Sequence, residues 1–210
     1  MRLVRIILFA LLLAARPLPA RADRGETYAI LSFEPGAAGY SDPSLGRASS
    51  TRFGGGFGAL GYYGLTNAIH VGGAVRYAAS SGLSFSPTAA TLPGGPTYPG
   101  TLVASAQAFS ASALILYRLD TGYHLAPVLA GEAGYTAQSL HDVALVPQGT
   151  NYGIPLSSRT DSAPFARASA LLEWRFANRF VSLAGVAVTR TGLQSAPWQC
   201  TFPMMVGMIW

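Results

Sequence analysis

The residues able to do chemistry in this chain are few, and their spacing excludes more than it offers. His70, His124 and His141 are the only histidines. None stands at the short spacing of a zinc-ligand pair, so a metal centre would have to be assembled from separate strands or loops. Gly56-Phe57-Gly58-Ala59-Leu60-Gly61 matches the dinucleotide-binding fingerprint letter for letter. That fingerprint works by presenting a pyrophosphate to the free N–H groups of a helix that opens there. Here the segment alternates as a strand, so the glycines are read as space for neighbouring side chains to pack across a narrow interior. Nucleophilic hydrolysis needs a serine, a histidine and a carboxylate within hydrogen-bond reach, and the Gly-x-Ser-x-Gly elbow that presents such a serine is absent. Cys200 is the single cysteine, which excludes an intrachain disulfide framework.

The charged set carries more physical force. Arg76, Arg118, Glu132, Arg167, Glu173 and Arg175 each fall on the polar side of an alternating segment, with His70 and His124 near them in pattern. Ions inside a narrow apolar enclosure must be paired or hydrated, because an unpaired buried ion costs several kcal/mol. Two roles fit: a structural salt-bridge plug, or the lining of a narrow, gateable pore whose arginine excess favours anions.

The elements that position these residues read as strands. Glu26 to Glu34 puts Thr27, Ala29, Leu31 and Phe33 on one face and Glu26, Ser32 and Glu34 on the other. The same two-residue period runs through Thr51 to Leu65, Ile69 to Tyr77, Leu102 to Leu119, Tyr123 to Gln138, Phe165 to Ala177 and Trp198 to Trp210. Phe180 to Thr189 is apolar on both faces and its facing is left open. Thr66-Asn67, Asp120-Thr121-Gly122 and Ala177-Asn178-Arg179 are tight turns, whereas Pro35 to Ser50, Ser80 to Gly100 and Ser139 to Ala163 read as long loops rich in Ser, Thr, Gly and Pro. Arg190 to Ala196 is a shorter one. Eight strands with short and long connections alternating predict an all-β, eight-stranded antiparallel up-and-down transmembrane β-barrel, its greasy faces turned outward and both termini at the tight-turn rim.

Composition agrees with that reading. Charged residues are 11% of the 210, against roughly 25% in a typical soluble domain, too few to build a water-facing surface. The formal charge of +5 is located mainly in a leader: there is no lysine, and four of the fourteen arginines, Arg2, Arg5, Arg16 and Arg21, precede residue 23. Ten arginines against nine carboxylates remain, which gives no basic patch for nucleic acid. The basic start, the apolar run Ile6 to Ala15 and the small-x-small Ala20-Arg21-Ala22 predict a signal peptide over residues 1–22, with residues 23–210 as the barrel.

The leader, the eight alternating strands and the aromatic terminus together resemble the small bacterial outer-membrane barrels of the OmpA and OmpX transmembrane type, across the whole mature chain. In that family the last strand carries an assembly signal, a terminal aromatic with apolar residues two and four places before it. Trp210, Met208 and Val206 fit it, while the glycine common five places before the end is here Met205, with Gly207 nearer the terminus. Eight-stranded barrels include lipid A deacylases and acyltransferases. The deacylases carry a histidine and a serine two apart on a late strand, and the late strands here hold no histidine. The resemblance implies an outer-membrane protein of a Gram-negative bacterium with a structural or surface-interaction role, a monomer without catalysis, cofactor or metal. Its implied partners are outer-membrane lipid, lipopolysaccharide and the outer-membrane assembly machinery. A small porin-like channel for ions or apolar solutes is the alternative, and a lipid A-modifying enzyme a third.

Overall fold

The computed structural model describes residues 24–41, 49–91, 95–119, 121, 125–176, 179–193 and 195–210. The segment 1–22 expected as a signal peptide, the turn residues Asp120, Gly122, Ala177 and Asn178, and His124 lie outside them. The described strands are β1 (Thr27–Phe33), β2 (Gly36–Ser41), β3 (Ser49–Gly64), β4 (Ile69–Thr91), β5 (Thr97–Arg118), β6 (Leu125–Pro147), β7 (Ile154–Pro155), β8 (Arg159–Arg175), β9 (Phe180–Thr191), β10 (Trp198–Thr201) and β11 (Met204–Ile209).

Antiparallel pairing follows chain order from β3 through β4, β5, β6 and β8 to β9. The end then returns to the start, since β9 pairs β10 and β11, β11 pairs β1, β10 pairs β2, and both β1 and β2 pair β3. The ring has eight staves, because β1 with β2 and β10 with β11 are single staves each interrupted once. A closed ring has no free edge to leave backbone groups unpaired. The interruptions are Glu34-Pro35 and Phe202-Pro203, where proline has no N–H to give the ladder. The proline carbonyls still serve it: Phe202 N donates to Pro35 O at 2.8 Å and Gly185 N to Pro203 O at 3.2 Å.

Three of the expected loops are largely strand. Within Pro35 to Ser50, β2 pairs β3 from Gly36 opposite Gly54 to Ser41 opposite Ser49. Within Ser80 to Gly100, β4 and β5 stay paired out to Thr91 opposite Thr97, with register shifts between Ser80 and Leu83 and between Phe85 and Thr88. Gly82, at φ 66°, occupies the first shift and Pro87 the second, so the glycine supplies a left-handed turn of chain and the proline falls where the ladder is already broken. Within Ser139 to Ala163, β6 runs to Pro147, β7 covers part of its edge, and β8 begins at Arg159. These extensions hold together because Tyr40, Leu83, Phe85, Leu102, Leu140 and Ala196 form a second apolar cluster inside them.

The first cluster fills the half of the barrel nearer the tight turns. Tyr28, Val128, Val181 and Leu183 there are each 2% exposed or less. The β9 facing that the sequence left open is settled: Val181, Leu183, Ala187 and Thr189 point inward, while Phe180, Ala184, Val186 and Val188 point out. Outside, every stave presents apolar residues, among them Leu31, Val75, Ile115, Leu129, Leu172 and Val206. This band is bounded by aromatic residues at two levels. Tyr63, Tyr117, Trp174, Phe180 and Trp210 stand near the tight turns, and Phe53, Tyr77, Phe109, Tyr135 and Trp198 stand further up. From Tyr117 to Phe109 along β5 the tilted strand climbs on the order of 20–25 Å, close to the height of an outer-membrane apolar band.

Candidate functional site

Alternation sends charged side chains inward from several staves, three of them from β8, and the closed ring brings them together in two layers. The upper layer joins β4, β6 and β8 to Glu34 at the end of β1. Arg76 Nε donates to Glu34 Oε1 at 2.9 Å, and its Nη1 and Nη2 donate to Glu132 Oε2 and Oε1 at 2.5 and 2.8 Å, a bidentate fork. Arg167 Nη1 donates to Glu34 Oε2 at 2.7 Å, and its Nε lies 3.5 Å from Glu132 Oε1. Ser32 Oγ donates to Glu34 Oε1 at 3.1 Å and Ser112 Oγ to Glu132 Oε2 at 3.0 Å. All four carboxylate oxygens are therefore engaged. The four ions are 6–8% exposed.

Gly58, opposite Arg76 on β3, is what lets this layer form. A Cβ there would stand 2.6 Å from Ser32 Oγ and 2.9 Å from Arg76 Cγ. This is the middle glycine of the dinucleotide-like run, and its place in a strand beside an arginine stem accounts for it without a nucleotide.

The lower layer lies near the tight turns. Glu173 Oε1 accepts from Arg175 Nε at 2.9 Å and forms an ion pair with Arg118, whose Nε lies 3.0 Å away. Arg175 also reaches Glu26 Oε2 at 3.3 Å and donates to Tyr28 Oη, whose proton goes to Glu26 Oε2 at 2.8 Å. Tyr28 stacks on Tyr62 with centroids 4.4 Å apart, and buried His70 meets both ring edges at 5.4 and 5.7 Å. The first apolar cluster separates the two layers.

All six charged residues expected inside are brought together here, as Arg76, Glu132 and Arg167 above and Arg118, Glu173 and Arg175 below. Sequence reasoning missed Glu26 and Glu34, although both share the inward parity of Ser32. Counting them, four arginines face four glutamates, so the expected arginine excess is absent from the paired layers. His141 stands above the barrel, 3.6 Å from Asp142 and far along the chain fold from His70. Among the described residues no three His, Cys, Asp or Glu side chains gather as a metal would require. Val206, Met208 and Trp210 all point outward from the closing stave, where Trp210 N and O pair with Thr27 O and N at 3.1 and 2.9 Å.

Above the upper layer lies a chamber lined by charged and hydroxyl side chains among apolar ones. Its volume is about 60 Å³, and Glu34, Arg76, Arg167, Thr189, Thr191 and Thr201 line it. A second cavity of about 40 Å³, reaching Arg52, shares Glu34, Gln199 and Thr201 with it. Tyr40 bonded to Ser80 at 2.8 Å and Gln138 bonded to Ser195 at 3.2 Å lie beyond, followed by the second apolar cluster.

A closed, up-and-down, eight-stave antiparallel ring with an apolar outer face and a filled interior is the fold of the small outer-membrane barrels of the OmpA/OmpX type. Solved structures agree. Ail, the attachment invasion locus protein of Yersinia pestis, in complex with the heparin analogue sucrose octasulfate, matches at TM-score 0.53 and 13% identity over 89% of this chain and 99% of its own. Neisserial surface protein A matches at TM-score 0.51 and 12% identity over 87% of this chain and 95% of its own. No family model and no curated protein matches the chain.

Proposed function

We propose that residues 1–22 direct export, and that residues 23–210 insert as a monomeric barrel into the outer membrane of a Gram-negative bacterium. Its role there is structural and surface-facing, without catalysis. The observation that carries this is the apolar outer face between two aromatic levels, wrapped around an interior closed by side chains. Such a band is stable only against lipid, and apolar packing with two ion-pair layers leaves an eight-stranded lumen no room for traffic. Val206, Met208 and Trp210 then serve as the recognition element of the assembly machinery, and lipid with lipopolysaccharide covers the band.

The surface role rests on β4, β5 and β6, whose 23, 22 and 23 residues carry them well beyond the upper aromatic level. The extension offers Tyr98 and Tyr152 amid Ser and Thr, with exposed Arg52 and Arg159 offset by Asp142 and Asp161. That balance does not favour a polyanion of the kind bound by the Yersinia protein. It suits a neutral surface instead.

An epitope inserted at Gln148-Gly149, beyond the end of β6, should be labelled on intact cells, and purified protein in planar bilayers should give no discrete conductance. Labelling only after permeabilisation would overturn the surface role. Reproducible current steps would favour the channel, and an altered lipid A mass spectrum on expression would favour the enzyme.

A further inference from the structure

We propose that the chamber above the upper ion-pair layer is a binding site for a small, halide-sized anion, held by Arg167 Nη2 and the Thr201 hydroxyl. Two buried donors are left over there. Arg76 spends Nε, Nη1 and Nη2 on Glu34 and Glu132, and every carboxylate oxygen of the layer is already taken. Arg167 spends Nη1 on Glu34 and Nε on Ser169 and Glu132. Its Nη2 is buried without a hydrogen-bond partner among the described residues, and so is Thr201 Oγ1. Arg167 is 7% exposed, and both residues line the chamber.

A buried guanidinium nitrogen with no acceptor is costly, and each oxygen of the neighbouring acids already accepts at least one donor while none is aimed at Nη2. What the chamber lacks is an acceptor, ideally a charged one. Its 60 Å³ is space for a few waters, which is room for a halide. Approach is favourable too. The neighbouring cavity reaches exposed Arg52, which has no ion pair among the described residues, and Thr201 lies on the boundary of both cavities. A positive entrance leading to an unsatisfied positive donor attracts anions.

The test is equilibrium urea unfolding of the purified protein in detergent micelles at fixed ionic strength, with sodium bromide replacing sodium gluconate. Gluconate, a bulky polyhydroxylated anion far larger than a halide, serves as the reference. An anion bound only by the folded state at ten times its Kd raises the folded-to-unfolded ratio about elevenfold. Thr201→Val leaves the ion pairs intact and should weaken bromide binding about tenfold, while Thr160→Val, on the exposed end of β8, should respond as the parent does. Crystals grown in bromide should show an anomalous peak beside Arg167 Nη2. Equal stability in bromide and gluconate, a response unaltered by Thr201→Val, or water alone at Arg167 Nη2 would each overturn the proposal.

Discussion

Replacing Glu132 with glutamine, which keeps its shape and removes its charge, tests the upper layer most sharply. Glu132 accepts both terminal nitrogens of Arg76 and the Ser112 hydroxyl, with its side chain 3% exposed. Glutamine keeps one acceptor oxygen, so one arm of the fork survives; the other meets an NH2 that repels it. Arg76 then keeps a full charge partner only in Glu34. Losing one partner of a buried pair costs about 3–5 kcal/mol, and the surviving hydrogen bond returns part of that, so Glu132→Gln should destabilise by about 3 kcal/mol. The chamber beside Arg76, which has room for water, softens the penalty without abolishing it. The cleaner measurement is a cycle of Arg76→Met, Glu132→Leu and the double variant, followed by urea unfolding in micelles. Each single change strands a buried ion and the double does not, so the double should cost about 2–3 kcal/mol less than the sum of the singles. A coupling below about 0.5 kcal/mol would mean that water or mobile ions neutralise these groups, and the reasoning would fail.

Gly58→Val should destabilise by about 1–3 kcal/mol, measured the same way, because its side chain needs the space held by Ser32 Oγ and Arg76 Cγ. Val206→Arg, placing a charge midway up the outer face, should cost about 2–4 kcal/mol when folding is measured into lipid vesicles; a neutral result would argue against lipid on that face. Deleting Trp210 removes an outward aromatic and two backbone bonds that close the ring on Thr27, so it should lower the outer-membrane yield and the fraction of heat-modifiable folded protein; unchanged yield would refute the role given to the terminus. Phe85→Ala, in the second cluster, should cost about 3–5 kcal/mol if the extensions unfold with the barrel, and should leave the barrel's unfolding midpoint unmoved if they unfold separately.

The barrel was legible because a wall between lipid and packed side chains forces a period of two on every stave, and Phe165 to Ala177 or Trp198 to Trp210 could hardly be read otherwise. The strand extensions were not legible for the same reason. Beyond the upper aromatic level no lipid demands apolar outward residues, so Ser80 to Gly100 keeps only its inward signal, in Leu83 and Phe85, under a composition of Ser, Thr and Pro. In the site, inward parity gave the six expected ions. Which carboxylate meets which arginine depends on the stagger of the closed ring, which sets Glu34 against Arg167 across 133 positions of sequence. The spare nitrogen of Arg167 is a matter of angstroms, and no pattern in the chain announces it.

On the reading proposed above, this ring turns one face to lipid and the other to a packed interior. Single nitroxides placed in turn from Ala163 to Trp174 of β8, in a Cys200→Ser background reconstituted in lipid, test it directly. Oxygen accessibility should peak at Ala166, Ala168, Ala170 and Leu172 and fall at Phe165, Arg167, Ser169 and Leu171. A flat profile, a period near 3.6, or peaks shared with a water-soluble relaxant at the outward positions would contradict it.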